Sequence, residues 1–242
     1  MKKIIFCCKA FIIKAFRLLI CVVKNGQTCA VCGSKSFFYP VCNKCARKYF
    51  TLPVKKDDGA GIKRKTIDFH HVDENHSLFS YRLWNKELLF LWKIESLRCL
   101  SSFFAAIFAR NLRIQGMDFI VPVPPRPGKI QKKGWDQMDE TSSYLECIYG
   151  FKVLRILERV SVIQQKKLKK QERIEQTQFS YRLIKEEDLN KIRRQLGGRL
   201  PSSVCIIDDV CTTGSTLENC ARLLKTTGEI EEVYSMTLFI VD

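Results

Sequence analysis

Hydrophobic and polar positions along this chain change period several times, and each change marks an element. Ile12, Phe16, Leu19, Ile20 and Val23 fall on one helical face and Lys14, Arg17 and Lys24 on the other, which predicts an amphipathic helix within residues 1–27. Lys9, Lys14 and Arg17 interrupt the apolar run and no small-residue cleavage site follows, so the stretch does not read as a signal peptide. Nor does any run reach the ~18 uncharged residues of a transmembrane helix. Docking on its own domain is the first reading of this helix, and peripheral contact with a membrane surface the second. Residues 78–81 read as extended. Leu88, Leu89, Trp92, Leu97, Leu100, Phe103, Phe104, Ile107 and Phe108 then recur at helical spacing and predict a long core helical pattern.

In the second half, strands are expected from Asp118, over 151–157 and over 232–241, and an exposed helix of alternating charge over 183–196, ended by Gly197 and Gly198. The most informative stretch is 204–217. Val204, Cys205, Ile206 and Ile207 read as a buried strand that runs into Asp208 and Asp209, then into the hydroxyl-rich turn Thr212, Thr213, Gly214, Ser215 and Thr216. Leu217, Cys220, Ala221 and Leu224 follow with the stripe of a helix packed on a sheet. Strands alternate with helices throughout, so the fold class is α/β, a mostly parallel sheet flanked by helices. Expected boundaries are 1–27 for the N-terminal helix, 28–52 for a small N-terminal element, 53–77 for a polar linker and 78–242 for the α/β domain.

That small element is defined by its cysteines. Cys29 and Cys32, then nine residues, then Cys42 and Cys45 give two knuckles whose four thiolates can converge tetrahedrally, the pattern of a structural zinc site with no open position. His70, His71 and His76 lie near the linker without partner spacing and read as part of a solvated loop. The chain has 12 cysteines in all, most of them unpaired in spacing, which points to a reducing, cytoplasmic compartment.

Charge narrows the partners. Lys and Arg number 41 against 25 Asp and Glu, a formal net charge of +16, so polyanions are expected company: nucleic acid, a multiply phosphorylated substrate or an acidic membrane surface. Solvated Lys-rich faces are the plain alternative, and the basic segment 164–173 reads equally as a flap over phosphates, a nucleic-acid contact or a solvated run. No Gly-x4-Gly-Lys-Ser/Thr occurs, which argues against a P-loop NTPase.

The chemistry concentrates at two turns. A helix start beyond a strand's carboxyl end aims unpaired N–H groups at an anion, so 212–216 can wrap a phosphate, while Asp208 and Asp209 suit sugar hydroxyls or a magnesium shell. The plain alternative is an acidic pair that only caps the next helix. Upstream, Val121, Pro122, Val123, Pro124, Pro125, Arg126, Pro127 and Gly128 form a rigid turn after a strand, presenting Arg126, Lys129 and Lys133 as a clamp for pyrophosphate.

The run from Ile206 to Thr216 resembles the 5-phosphoribosyl-1-pyrophosphate (PRPP) motif of type I phosphoribosyltransferases. That resemblance implies that Asp208 and Asp209 hold the ribose 2- and 3-hydroxyls and act as the catalytic pair, that Thr212, Thr213, Gly214, Ser215 and Thr216 hold the 5-phosphate, and that Mg2+ accompanies PRPP. Together with the Pro-Val-Pro turn, the segment Gly134, Trp135, Asp136 and Gln137, and the metal ligands Cys29, Cys32, Cys42 and Cys45, the chain is similar to the ComF (ComFC) family, phosphoribosyltransferase-like proteins with an amino-terminal zinc element. Tyr81, Glu87, Leu88 and Lys93 match a helical segment of that family, and Arg159, Gln165, Leu168 and Arg173 a downstream basic stretch. Arg126 stands where the family often has His, Lys133 where it has Arg and Asp136 where it usually has Asn, and a Pro expected before Gln165 is missing.

Two functions follow as expectations. One is a magnesium-dependent phosphoribosyltransferase using PRPP and an unidentified acceptor. The other is a non-catalytic accessory of natural DNA uptake that binds single-stranded DNA or DNA-uptake proteins, with Trp84, Trp92 and Trp135 as candidate stacking groups beside basic residues.

Overall fold

The computed structural model describes residues 28–36, 40–50, 67–81, 83–160 and 180–241, with the side chains of 83 and 84 excepted. The predicted N-terminal helix and the basic segment 164–173 lie outside these residues. Within them the chain is α/β, a parallel five-stranded sheet with helices on both faces and a four-cysteine element at its amino-terminal side.

In chain order the elements are α1 (Asn43–Phe50), β1 (Glu74–Ser80), α2 (Leu83–Lys93), α3 (Cys99–Ile114), β2 (Phe119–Pro122), α4 (Lys129–Lys133), α5 (Gln137–Cys147), β3 (Lys152–Val153), β4 (Leu157–Arg159), β5 (Tyr181–Leu183), α6 (Glu186–Gln195), β6 (Ser203–Cys211), α7 (Ser215–Lys225) and β7 (Glu232–Ile240). The sheet order is β1-β7-β6-β2-β3, every pair parallel, while β4 and β5 form a separate antiparallel pair.

Two apolar layers sandwich the sheet. Phe104, Phe108 and Leu112 of α3 recur at every fourth position and pack with Leu145 of α5 against Ile120, Ile207 and Met236. On the other face, Leu217, Cys220, Ala221 and Leu224 of α7 pack against Val204, Ile206 and Val233. Trp92 at the end of α2 is fully buried and donates from Nε1 to Ser101 Oγ at 2.9 Å; that hydroxyl donates in turn to Glu140 of α5, which also pairs with Arg98. Helices α2, α3 and α5 are thereby tied together.

Three boundaries differ from the sequence reading. The expected single helical pattern is two helices, because the chain turns at Ser96, whose φ is 58°. The expected strand over 151–157 is split into β3 and β4, and the first strand begins at Glu74, inside the stretch expected as linker. That strand is hidden in sequence because its inner pairings are polar: Ser77 meets Thr237 at 2.9 Å and Asn75 accepts from Ser235 at 2.8 Å.

The cysteine element docks on this body through α1. Phe50 stacks edge-on against Phe79, Phe103 and Phe104 at 5.2, 4.9 and 6.4 Å between ring centres, so Cys29 and Cys45 share the hydrophobic cluster of α3 and β7.

Candidate functional site

Helix α5 follows β2 on one face of the sheet and α7 follows β6 on the other, and the sequential connections run outward in opposite directions from the β2–β6 pair. Beyond the carboxyl ends of such a pair lies the crevice where open α/β sheets take their ligands. Both turns singled out by sequence open there. Val123 donates its N–H to Ile207 O at 3.1 Å, which aligns the proline-rich turn beside the strand end carrying Asp208 and Asp209.

Successive side chains of a strand point to opposite faces. Asp209 is buried at 7% exposure and points toward α2 and α5, where Lys93 Nζ sits 2.8 Å from Oδ1 and Gln137 Nε2 donates to Oδ2 at 2.9 Å. Asp208 is half-buried and accepts from the Asp209 N–H at 2.8 Å. Burial, then the neighbouring Asp209 charge, pushes the Asp208 carboxyl up to about 8.

The following turn places Thr212, Thr213 and Ser215 at the surface, Thr216 half-buried and Gly214 buried. Gly214 caps α7 with φ 78°, a left-handed conformation that glycine adopts freely. Thr213 Oγ1 and Ser215 Oγ are 2.9 Å apart, and Thr216 hydrogen-bonds the buried Tyr181 of β5. The N-terminal turn of α7, its amides and four hydroxyl groups form one anion-receptive end. The segment from residue 67 leads onto this end: both the His70 and His71 N–H groups donate to Glu218 of α7, and His71 Nδ1 lies 2.5 Å from Glu218 Oε1. The His71 ring is thus an anchor on α7 rather than part of a solvated loop, while His70 is held through its backbone alone and its side chain is exposed.

The three cations expected at the other turn are placed differently. Arg126 is exposed. Lys129 Nζ lies 2.5 Å from Asp136 Oδ2 and also donates to Gln137. Asp136 is itself buried and caps α5, accepting from the Met138 and Asp139 N–H groups at 2.9 and 3.1 Å. Lys133 is exposed, and its Nζ donates to the Lys93 carbonyl at 2.9 Å. Lys129, Gln137, Asp209, Lys93 and Lys133 are therefore one connected network joining the two turns. Lys93 and Gln137 fall in segments that the family resemblance covers without giving either a role, and no local spacing relates either to Asp209. Trp92 and Trp135 are buried, at 0% and 6%, which removes both as stacking platforms for bases.

In the amino-terminal element the candidate ligand atoms of Cys29, Cys32, Cys42 and Cys45 all lie within 4.8 Å of one another. Cys32 and Cys42 Sγ are 3.8 Å apart, the edge expected of a metal tetrathiolate with bonds of about 2.3 Å. Backbone N–H groups of Val31 and Cys42 donate to Cys29 Sγ at 3.4 and 3.2 Å, as suits a thiolate that would ligate a metal. Hydrogen bonds from Ser34 bring the Cys32 thiol down to about 6, while burial pushes Cys45 up. The four residues fit a structural metal site.

Among the described residues, no helix is long and apolar enough to cross a membrane. No protein-family model matches the chain. Over 220 residues, 88% of this chain and 78% of the other, it is 24% identical to "Competence protein ComFC" of Bacillus subtilis (strain 168), a likeness in line with the resemblance read from its motifs.

Proposed function

We propose that this protein binds PRPP with Mg2+ at the β2–β6 crevice and transfers its phosphoribosyl group to an acceptor. The observation that carries the reading is the position of the acidic pair, at the end of β6 between the α7 amides and the rigid β2 turn. In this reading Asp208 and Asp209 receive the ribose hydroxyls, 212–216 the 5-phosphate, and Arg126, Lys129 and Lys133 the pyrophosphate. Mg2+ would neutralise the pyrophosphate charge, with Asp208 the carboxylate most open to it. Catalysis is then chiefly electrostatic positioning as positive charge builds on the sugar. Zinc is the metal proposed for the cysteine cluster, since four thiolates at tetrahedral spacing suit it best.

The relative's name brings natural competence to this chain as the proposed setting. A second reading, a non-catalytic nucleic-acid-binding or partner-binding accessory of DNA uptake, rests on the +16 charge. Calorimetric titration of Mg2+ and PRPP into the zinc-loaded protein, beside an Asp208→Asn, Asp209→Asn double variant, tests the first reading. Binding by the parent and not by the folded variant is the expected result; no binding by the parent leaves the accessory, whose affinity for single-stranded DNA should fall steeply with salt.

A further inference from the structure

Strands β4 and β5 stand outside the main sheet as a short antiparallel ribbon. Leu157 and Tyr181 of the ribbon are buried in the same cluster as Leu217, Cys220 and Leu224, so it packs on the α7 side of the molecule. Arg159 and Tyr181 face each other at one end of the ribbon, and that end meets the first turn of α7, because Tyr181 hydrogen-bonds Thr216. A phenol at 6% exposure is costly to bury unless its hydroxyl is satisfied, and Thr216 satisfies it. Half-buried Arg159 lies over the Tyr181 ring, its guanidinium carbon 5.3 Å from the ring centre. The ribbon's own carboxylate, Glu158, is taken by Arg182 at 2.9 Å, and no carboxylate pairs with Arg159 among the described residues. Burial raises the Tyr181 phenol, Arg159 opposes the rise and Asp208 adds to it; burial likewise raises the Cys220 thiol, with Asp208 adding and Arg159 opposing. Cation and acidic pair thus act on the same two buried groups beside the start of α7.

We propose that Arg159 is a further ligand-binding residue, pairing with the phosphate monoester held at the start of α7, and that Tyr181 is the positioning residue for it. The assignment rests on the phosphoribosyl-transfer reading above and adds two residues that lie outside both turns of the site. Thr212, Thr213, Gly214, Ser215 and Thr216 supply amides and hydroxyls but no cation, and the first turn of α7 carries the negative Glu218. A phosphate dianion there needs a positive partner from another element, and the ribbon provides it.

Stacking on the ring leaves the N–H edge of the guanidinium free, and that edge matches two oxygens of one phosphate. Because the ring holds the planar fork in advance, little freedom is lost when the anion arrives. Tyr181 acts on a second donor as well. A phenol that stays protonated gives its one proton to Thr216 Oγ1, and the Thr216 hydroxyl then keeps its own proton for the ligand.

The test is calorimetry on the full zinc-loaded chain, with ribose 5-phosphate, pyrophosphate and PRPP with Mg2+ as separate probes. Arg159→Gln, Arg159→Lys and Tyr181→Phe, each first shown to keep a cooperative thermal transition, are compared with the parent. Arg159→Gln should weaken ribose 5-phosphate and PRPP about tenfold, as loss of one charge-assisted contact does, and leave pyrophosphate within about twofold. Arg159→Lys should recover part of that loss, since the charge returns without the fork. Arg159→Gln should also flatten the salt dependence of ribose 5-phosphate binding, whereas Tyr181→Phe should weaken binding about threefold with salt dependence unchanged, because it deletes one hydrogen bond and no charge. A merely structural role would lower affinity for every probe alike. Unchanged ribose 5-phosphate affinity in Arg159→Gln, or an equal loss for pyrophosphate, overturns the assignment while PRPP binding by the parent keeps the transfer reading. A parent that binds no PRPP removes that reading and the assignment with it.

Discussion

Lys93 Nζ lies 2.8 Å from Asp209 Oδ1, at the place where the last turn of α2 meets the end of β6. With Gln137 on the other oxygen, the buried carboxylate has a protein donor on each side, and its charge is held by the fold rather than by solvent. Removing one partner of such a pair leaves an uncompensated charge. Because the Lys93 side chain is 30% exposed, Lys93→Met should cost about 2 kcal/mol, below the range of fully buried pairs. It should also weaken PRPP binding about tenfold, since the freed carboxylate repels phosphate across a partly buried site. Denaturant titration and calorimetry check the two effects separately; a variant as stable and as tight-binding as the parent would show that the pair is incidental.

The neighbouring carboxylate predicts a pH dependence. Asp208 is raised from 3.8 to about 8 by burial and by Asp209, so between those values the folded protein holds a proton that the unfolded chain has released. The slope of stability with pH is then negative, and the contribution present below pH ~4 is lost as pH rises toward 8. Chemical denaturation of the protein without Mg2+ or PRPP should show this decline, and Asp208→Asn should flatten it. If Asp208 meets Mg2+ or a ribose hydroxyl as the anion, PRPP affinity should rise over the same window.

Gly214 is constrained twice, by its φ of 78° and by its neighbours. A Cβ there would come 2.7 Å from Phe69 Cε1 and 2.8 Å from Ile67 Cγ2, distances no packed side chains keep. Gly214→Ala should therefore cost more than the ~1–2 kcal/mol of a left-handed alanine. Adding Phe69→Ala should make the Gly214→Ala step smaller without abolishing it, because the ring contacts go while Ile67 and the backbone conformation remain. Equal steps in the two backgrounds, measured as a double-mutant cycle, would rule out the contact.

The four-cysteine element and the α/β body meet through Phe50. Truncating a buried aromatic typically costs about 3–5 kcal/mol, so Phe50→Ala should destabilise the whole chain while leaving one bound zinc per molecule by elemental analysis. Cys45→Ser should instead lose the metal. Chelation of the parent should lower the thermal midpoint in a single transition if the shared cluster of Cys29, Cys45, Phe79 and Phe104 makes the two parts cooperative.

The site was legible where its parts are contiguous. Strand, acidic pair, hydroxyl turn and helix lie within 204–217, so periodicity and residue type alone ordered them, and the doubled Cys-x2-Cys spacing marked the four-cysteine cluster in the same local way. What sequence left out is what depends on distant packing. Lys93 meets Asp209 only because α2 stops before a turn at Ser96, a residue with no glycine or proline to announce the break. Strand β1 pairs polar Asn75 and Ser77 against Ser235 and Thr237, so its alternation never reads as half-buried. Likewise nothing in the spacing of Lys129 and Asp136 told that the cation is already bound.

That last pairing yields a prediction of gain rather than loss. Asp136 does two jobs: its Oδ1 caps α5 and its Oδ2 holds Lys129 at 2.5 Å. Asparagine caps helices about as well as aspartate, but carries no charge with which to hold an ammonium group. Asp136→Asn should therefore keep α5 intact and leave Lys129, one of the three cations proposed for pyrophosphate, held by Gln137 alone, while removing a negative charge beside them. Pyrophosphate and PRPP affinity should rise, by about fivefold to tenfold at low salt and less as salt screens the added charge. Asp136→Ala separates the two jobs: it frees the same cation but loses the cap, at a cost of about 1 kcal/mol. If both variants bind pyrophosphate no more tightly than the parent, Lys129 is a structural partner of Asp136, and the proposed clamp reduces to Arg126 and Lys133.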